Sequence, residues 1–348
     1  MTQQRKKPSK APANVTSHDV AKAAGVSQSV VSRAFSANGK IAPETRKRVL
    51  GVAQDLGYHP NAFARSLVQQ RTRIVGVLIA RLDNHLYPKV LDAFTAQLWA
   101  AGRQVMYFNV DDGGDIDKVL RTALQYRVEA MVVASITLSS HMAEVFCDAG
   151  IPVVLFNRYL DDPNVHAVSC DNVAGGRMVA DAFLDAGHTR FAFIGGHPDT
   201  STNHDRKGGF MTRLKERGAA LSYALEKDYS YDWGRNAAHH LLSQKGPPDA
   251  LFCASDLIAL GALDTARAEC GLRVPEDVAI VGFDDIEAAS WQSYALTTVQ
   301  QPVDLMLAET LAVILHKDSQ PKRVTVPVTF VERGTTRPRV PSGEVVAL

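Results

Sequence analysis

Residues 15–35 read "VTSHDVAKAAGVSQSVVSRAF", and this stretch predicts two short helices joined by a tight turn. Thr16 and Asp19 have the spacing of a capping box, so the first helix is expected to begin directly after Thr16. Gly25 is expected to end it, because glycine accepts the left-handed backbone at a helix C-terminus. A second helix then follows Ser27, whose side chain is expected to cap it. Two helices joined in this way form a helix-turn-helix unit.

A third helix is predicted over "PETRKRVLGVAQDLG", which starts at Pro43. Proline is favoured in a first helical turn, and Gly57 is expected to end this helix. Each of the three helices has an apolar face, so together they can close a small core. The three predicted faces are Val20, Ala21 and Ala24; Val30, Val31 and Ala34; and Val49, Leu50, Ala53 and Leu56.

The charge of the chain is unevenly distributed. Residues 1–71 carry 12 Lys and Arg against three acidic residues, a net charge of +9, and the rest of the chain carries −8. A basic segment on an acidic body indicates a module that binds a polyanion, although a solvated basic face is the simpler alternative. The second helix points Gln28, Ser29, Ser32 and Arg33 outward, and Arg and Gln side chains can pair with guanine and adenine edges.

These motifs, followed by "GYHPNAFARSL" at residues 57–67, resemble the lactose-repressor (LacI/GalR) family of bacterial transcription regulators. The resemblance rests on T-x-x-D-V-A, A-G-V-S, V-S-R and G-Y-x-P-N-x-x-A-R-S-L at this spacing. It implies that Gln28, Ser29 and Arg33 read bases in the major groove. Phosphate contacts are expected from Thr16, Ser27, Ser32, Tyr58 and Asn61.

Residues 59–71 predict a helix that is too short to be stable alone in water. In the family the matching segment is a hinge helix, which packs on its symmetry mate over the minor groove. Leu67 has the position of a leucine wedge that kinks the duplex, and Ala64 and Arg65 are expected along the groove floor. We expect this segment to be disordered in the free protein and ordered on DNA.

Short β-branched runs alternate with amphipathic segments after Thr72, which predicts buried parallel strands connected by helices. The pattern divides near residues 172–175. It therefore favours an N-terminal all-α helix-turn-helix domain plus an α/β body of two doubly wound parallel-sheet subdomains, which is periplasmic-binding-protein-like in the family. The strand candidates are "RIVGVLIAR", "QVMYFNV", "AMVVASI", "PVVLFNR", "HAVSCDN", "RFAFIGG", "DALFCAS" and "VAIVGFDD".

The body carries no motif of a common enzyme class. The sequence contains no G-x-G-x-x-G after a strand, no P-loop, no G-x-S-x-G elbow and no H-E-x-x-H. Catalytic residues, a metal site and a cofactor are therefore not expected. A clamp that binds a small ligand remains, and in open α/β sheets such ligands bind at the carboxyl ends of the strands.

Polar residues follow several predicted strands, although Asp256 and Asp285 are equally well explained as helix N-caps. Arg206 is expected to open a helix, where its charge opposes the helix dipole and a ligand can offset that cost. The family resemblance makes Arg206 in "DRKGGF" and Asp284 in "GFDD" ligand contacts and Tyr229 a stacking platform. The full predicted effector site comprises Tyr87, Asn157, Asp171, Arg206, Tyr229, Ser255 and Asp284.

The predicted domains are a disordered basic tail (1–14), the helix-turn-helix domain (15–58), the hinge helix (59–71) and an effector-binding and dimerisation domain (72–340). The last divides into an N-subdomain (about 72–171 and 303–331) and a C-subdomain (about 172–300 and 332–340). No apolar segment predicts a secretion signal or a membrane span. We expect a cytoplasmic homodimer, not an enzyme, that binds double-stranded operator DNA and a small-molecule effector as a repressor. The alternatives are a solute-binding clamp without DNA function, and an activator or a corepressor-dependent regulator.

Overall fold

The computed structural model describes residues 15–36, 39–60, 71–79, 86–110, 115–134, 139–160, 162, 165–316 and 320–337 of the 348-residue chain. It divides the chain into two compact units, residues 1–72 and 73–348, which we call the head and the body. Within these described ranges, no helix is both long and apolar enough to cross a bilayer.

The head contains the three predicted helices, α1 (Ser17–Ala24), α2 (Gln28–Ala34) and α3 (Pro43–Asp55). The capping box is present, since the Thr16 N–H donates to Asp19 Oδ2 at 2.9 Å and the Asp19 N–H donates to Thr16 Oγ1 at 3.3 Å. Gly25 has a left-handed φ of +64°. Val20, Val31 and Val49 are buried between the three helices, so the predicted small core is confirmed.

Two details of the head differ from the prediction. Leu50 and Leu56 were expected in the core but are 38% and 39% exposed. Leu50 is rotated by about 100° from the buried Val49, and Leu56 lies beyond the last helical residue. Ser27 does occupy the N-cap position of α2, but its hydroxyl lies 2.8 Å from that of Ser29 and does not cap the helix.

Six parallel strands form the first sheet of the body, in the order β11-β5-β4-β3-β1-β2. They are β1 (Ile74–Ile79), β2 (Gln104–Phe108), β3 (Ala130–Ala134), β4 (Val153–Phe156), β5 (His166–Cys170) and β11 (Arg323–Val326). The helices of this half are α4 (Leu86–Ala100), α5 (Ile116–Gln125), α6 (Ser140–Asp148) and α11 (Val303–His316). We call this half the N-lobe. Every residue of β3 and β4 is buried, as expected for a parallel sheet with both faces covered.

Four parallel strands form the second sheet, in the order β7-β6-β8-β9. They are β6 (Phe191–Gly195), β7 (Leu221–Glu226), β8 (Ala250–Cys253) and β9 (Ala279–Val281). The helices of this half, which we call the C-lobe, are α7 (Asn172–Asp185), α8 (Ser201–Glu216), α9 (Tyr231–Leu242) and α10 (Asp256–Asp264). The eight strands predicted from sequence are all present, and the two sheets contain two further strands, β7 and β11, that were not predicted.

The chain passes between the lobes at several points. It leaves β5 of the N-lobe directly into α7 of the C-lobe. It returns through β10 (Thr298–Gln300) into α11, and crosses once more at β12 (Thr329–Val331). β10 and β12 pair antiparallel, with Thr298 opposite Val331. The Asp171 N–H also donates to the Val326 carbonyl at 2.8 Å, so the connecting segments are hydrogen-bonded to each other.

Candidate functional site

The outer face of α2 carries exposed polar residues. Arg33 Nε donates to the Ser29 carbonyl at 3.2 Å, and Gln28 Nε2 donates to Ser17 Oγ at 3.5 Å. Both contacts are local and solvent-exposed, so both side chains can turn to another partner at little cost. The exposed residues of this surface are Ser27, Gln28, Ser29, Ser32 and Arg33.

Two of the predicted phosphate-contacting residues, Thr16 and Tyr58, lie outside α2. The Thr16 hydroxyl donates to Asp19 Oδ2 at 2.7 Å and remains exposed. Tyr58 is half-buried, with its ring edge-on to Phe35 at 5.7 Å between centroids. The predicted hinge-helix residues Asn61, Ala64, Arg65 and Leu67 lie outside the described residues.

Arg206 is the most buried charged side chain of the predicted effector site, with 2% of its surface exposed. Its Nε donates to Asn172 Oδ1 at 2.8 Å, and its Nη1 lies 3.4 Å from Asp284 Oδ1. The guanidinium carbon lies 3.6 Å from the centroid of the Phe283 ring, a cation–π contact. Burial acts to lower the pKa of Arg206, but Asp284 and other neighbours raise it above the usual value, so the group stays charged.

Arg206 does not open its helix, contrary to the prediction. α8 begins at Ser201, and the Thr200 hydroxyl caps it by accepting from the Asn203 N–H. The Thr200 cap, five residues earlier than expected, places Arg206 in the second turn. The conflict with the helix dipole is therefore smaller than the sequence suggested, since the dipole acts mainly in the first turn.

Two glycines fix the position of α8 against α7. A Cβ on Gly176 would lie 2.2 Å from the Arg206 carbonyl oxygen, and a Cβ on Gly209 would lie 2.2 Å from the Val173 carbonyl oxygen. The two helices therefore pack backbone against backbone. This close approach brings Arg206 on α8 within reach of Asn172 at the start of α7.

Asp284 is held from several directions just beyond β9. Its Oδ1 accepts from Gln301 Nε2 at 2.6 Å, and its N–H donates to the Val299 carbonyl at 2.8 Å. Its φ of +125° is uncommon for a residue with a side chain. Such strain is often found at functional positions.

Residues of the N-lobe face this group. Tyr87, near the start of α4, is 6% exposed, and burial raises the pKa of its phenol. The side chain of Asn157, which follows β4 with a left-handed φ of +63°, interacts with this phenol and acts to lower its pKa. The charges of Arg158 and Asp284 also act on Tyr87, so residues from both lobes meet here.

Tyr229 lies beside the same group, after β7. Its hydroxyl is 3.2 Å from Thr200 Oγ1 and 3.1 Å from Thr202 Oγ1, and it acts electrostatically on Arg206. These contacts anchor the phenol at the start of α8. Five of the seven predicted effector residues are thus brought together: Tyr87, Asn157, Arg206, Tyr229 and Asp284.

The other two predicted effector residues have structural partners. The Ser255 hydroxyl caps α10 by accepting from the Ile258 N–H at 3.4 Å, and Asp171 caps α7 by accepting from the Ala174 N–H at 2.9 Å. Their neighbours make the contacts to Arg206 instead, through the Asn172 side chain and the Ala254 carbonyl. Ligand contacts of Ser255 and Asp171 stay predictions.

Asp256 and Asp285, which were compatible with helix caps, cap no helix here. Asp256 is fully buried, and its carboxylate accepts from Thr298 Oγ1 at 2.5 Å and from the Ile286 N–H at 2.8 Å. Asp285 pairs with Arg333 Nη2 at 2.7 Å. Both residues therefore brace the loop that carries Asp284.

A further contact joins the two lobes outside this group. The Tyr159 N–H, beyond β4, donates to Ser201 Oγ at 3.1 Å, and the Tyr159 hydroxyl donates to Asp205 Oδ1 at 2.9 Å. The guanidinium carbon of Arg323 in β11 lies 3.2 Å from the centroid of the Tyr159 ring. Asp205 precedes Arg206 in α8, so this contact and the effector group share one helix.

A helix-turn-helix head and a two-lobed body that gathers polar residues from both lobes define the class of ligand-responsive DNA-binding regulators. Residues 16–61 match the family model "Bacterial regulatory proteins, lacI family", and residues 180–336 match the model "Periplasmic binding protein-like domain".

Individual relatives agree with these matches. Catabolite control protein A of Priestia megaterium is 32% identical over 83% of this chain and 88% of its own length. The crystal structure of the lac repressor dimer bound to operator and the anti-inducer ONPF superimposes with a TM-score of 0.83 at 25% identity, covering 93% of this chain and 99% of that chain. A complex of the transcriptional regulator CelR with cellobiose gives a TM-score of 0.70 at 29% identity, covering 92% and 99%.

The chain belongs to the lacI family of bacterial regulatory proteins. The fold predicted from sequence, a helix-turn-helix domain on a periplasmic-binding-protein-like body, is confirmed. Its relatives are transcription regulators rather than enzymes.

Proposed function

We propose that the protein is a cytoplasmic transcriptional repressor that binds a palindromic operator as a dimer and catalyses no reaction. A small metabolite, a sugar or a related compound, binds between the two lobes and changes operator affinity. The observation that carries this proposal is the buried Arg206–Asp284 pair, at 3.4 Å, facing Tyr87 and Asn157 of the opposite lobe. A charged pair buried in this way adds little net stability, because the cost of desolvation offsets the attraction, and this favours a functional role for the pair.

On the DNA side, Gln28, Ser29 and Arg33 read base edges in the major groove. Their exposure on α2 and the net charge of +9 on residues 1–71 support this assignment. Phosphate contacts from Thr16, Ser27, Ser32, Tyr58 and Asn61 set the register of the head. Leu67, with Ala64 and Arg65 beside it, enters the minor groove.

On the ligand side, the group is rich in hydrogen-bonding atoms of both kinds. Asp284 accepts from ligand hydroxyls, Arg206 and Asn157 provide further polar contacts, and Tyr229 and Tyr87 offer aromatic surfaces. A sugar matches this mixture, since its ring has apolar faces and hydroxyl edges, and the related CelR binds cellobiose. Ser255 and Asp171 complete the proposed site from the capped ends of α10 and α7.

We propose that the domain limits are those predicted from the sequence. The chain passes between the two lobes at three segments, which lie between β5 and α7, between β10 and α11, and around β12. A ligand that binds both lobes shifts the equilibrium of their relative positions. In a dimer this shift changes the spacing of the two heads, and hence the fit to an operator with two half-sites.

The DNA assignment is tested with Arg33→Ala in the full-length protein. An operator is first selected from random duplexes with the wild type, and Kd values are measured by fluorescence anisotropy at fixed salt. Losing a base contact costs about 1–3 kcal/mol, so we expect the operator Kd to rise by roughly 5- to 150-fold.

Lys47→Ala is the matched control, because it removes one exposed positive charge of α3 from the same head. It should weaken operator and random DNA alike. An operator Kd for Arg33→Ala equal to that of the wild type would remove Arg33 from the reading surface.

A further inference from the structure

Arg46 of α3 makes an unusual set of contacts in the head. Its Nη1 donates to the carbonyls of Ala34 at 2.9 Å and Ser36 at 3.0 Å, and its Nη2 donates to the carbonyl of Gly39 at 2.7 Å. Within the described residues, these three hydrogen bonds of its guanidinium all go to main-chain oxygens that end or follow α2. Arg46 is half-buried, unlike its exposed neighbours Lys47 and Arg48.

The Ala34 carbonyl ends α2 and needs a donor from outside the helix, whereas the Ser36 carbonyl also accepts from the Gly39 N–H at 3.1 Å. The last carbonyls of a helix have no partner inside the helix, and a cation there also matches the helix dipole. Arg46 satisfies the Ala34 carbonyl at the end of α2 and two carbonyls beyond it at once. The planar guanidinium can do this because its donors point in fixed directions, which the ammonium of lysine cannot imitate.

An independent contact holds the same end of α2. A Cβ on Gly39 would lie 2.0 Å from the Arg33 carbonyl oxygen and 2.8 Å from the Arg33 carbonyl carbon, so the chain after α2 folds back onto the backbone of Arg33. The residue against which it folds is the proposed base-reading arginine. Arg46 fixes this return by binding Gly39 on one side and Ala34 on the other.

We propose that Arg46 is a positioning residue for DNA reading, which fixes the C-terminal end of α2 and thereby the place of Arg33 in the groove. It acts through main-chain carbonyls rather than by touching bases. This inference rests on the proposed reading role of α2. It predicts that Arg46 contributes to discrimination between operator and other DNA, whereas a phosphate contact contributes equally to both.

The test uses full-length wild type, Arg46→Gln, Arg46→Lys and the control Lys47→Gln. Kd values are measured for the selected operator and for a scrambled duplex between 50 and 200 mM salt, a range over which phosphate contacts are readily resolved. For both Arg46 variants we expect the ratio of scrambled to operator Kd to fall at least ~10-fold, with the scrambled Kd little changed for Arg46→Lys. Lys47→Gln should leave that ratio unchanged.

The salt dependence separates positioning from direct phosphate binding. A phosphate contact would weaken both duplexes alike, lower the salt slope of Arg46→Gln by about 0.9 and leave Arg46→Lys near wild type. That result, or an unchanged ratio in Arg46→Lys, overturns the proposal. If Arg46→Gln loses its helical circular dichroism, Arg46→Lys decides, because it keeps the charge. A wild type that shows no preference for any duplex contradicts the proposed function itself.

Discussion

At the scale of single residues, Arg206 and Asp284 show how the body can keep charge in its interior. Arg206 is satisfied by Asn172, the Ala254 carbonyl and the Phe283 ring as well as by Asp284. Asp284 in turn accepts from Gln301. Removing one partner of such a network leaves an uncompensated charge, which costs several times more than the net value of the pair.

The sequence identified the charged members of this group but not their polar partners. Arg206 and Asp284 lie in recognisable motifs, and strand ends are where such sheets bind ligands. Asn172 ends the strand candidate "HAVSCDN", and Gln301 lies in the segment "TTVQQPV", which was not among the predicted strands. Their contacts to Arg206 and Asp284 join positions 34 and 17 residues apart, which no local pattern reports.

The buried carboxyl group of Asp256 makes the stability of the body depend on pH. Burial, followed by the nearby charge of Asp284, raises the pKa of Asp256 to about 7 from an ordinary value of 3.8. Between these two pH values the folded chain holds a proton that the unfolded chain has released. The resulting stabilisation is complete below about pH 4 and is lost as the pH rises through 7.

Asp256→Asn should remove this dependence. Asparagine has the shape of the protonated acid, so it can donate to Thr298 and still accept from the Ile286 N–H. The free energy of unfolding in urea is measured at pH 5 and pH 8. Between these pH values it should fall by about 2–4 kcal/mol less in the variant than in the wild type. Asp148→Asn, an exposed carboxylate of α6, should keep the wild-type difference. Equal losses in wild type and Asp256→Asn would contradict the account.

At the scale of elements, the periodicity of apolar residues predicted helices and strands with a regular apolar pattern. It missed features that depend on how one element packs against another. The three helices of the head and eight strands of the body were visible because their apolar residues repeat with the helical or the strand period. β7 was missed because it lies at a sheet edge and is only partly buried, so it lacks the continuous apolar run of β6 and β8. Leu56 was placed in the core because periodicity does not show where a helix ends, and Leu50 because it directly follows the buried Val49 in the sequence.

The packing of α7 on α8 depends on adjacent glycines with different surroundings. Gly209→Ala would place a Cβ against the Val173 backbone, whereas a Cβ on Gly208 meets nothing within 4 Å. We expect Gly209→Ala to destabilise the body by about 1–3 kcal/mol through overpacking. Gly208→Ala should stabilise it by roughly 0.5–1 kcal/mol, because alanine is the better helix former.

Urea unfolding of both variants measures this difference directly. The two substitutions are identical in chemistry and neighbouring in sequence, so each is the control for the other. Equal stabilities would mean that α7 and α8 do not need the close backbone approach that positions Arg206.

At the scale of the whole molecule, the two lobes are joined both by the chain and by contacts that converge on α8. Arg206 faces the effector group, and Asp205 beside it binds Tyr159 of the N-lobe. A ligand at Arg206 therefore acts on the helix that already links the lobes. In a dimeric regulator, the coupling free energy is the amount by which ligand binding changes the free energy of operator binding. It is typically about 1–3 kcal/mol.

The most direct test of the account is whether that coupling is reciprocal. Sugars that raise the Tm of the full-length protein are first identified from a panel that includes cellobiose, since binding stabilises the folded state. The operator Kd is then measured with and without saturating sugar, and the Kd of the sugar with and without saturating operator. We predict a change of roughly 5- to 150-fold, equal in both directions, and its loss in Asp284→Asn with operator binding retained. An operator Kd that stays the same at saturating sugar would contradict the account.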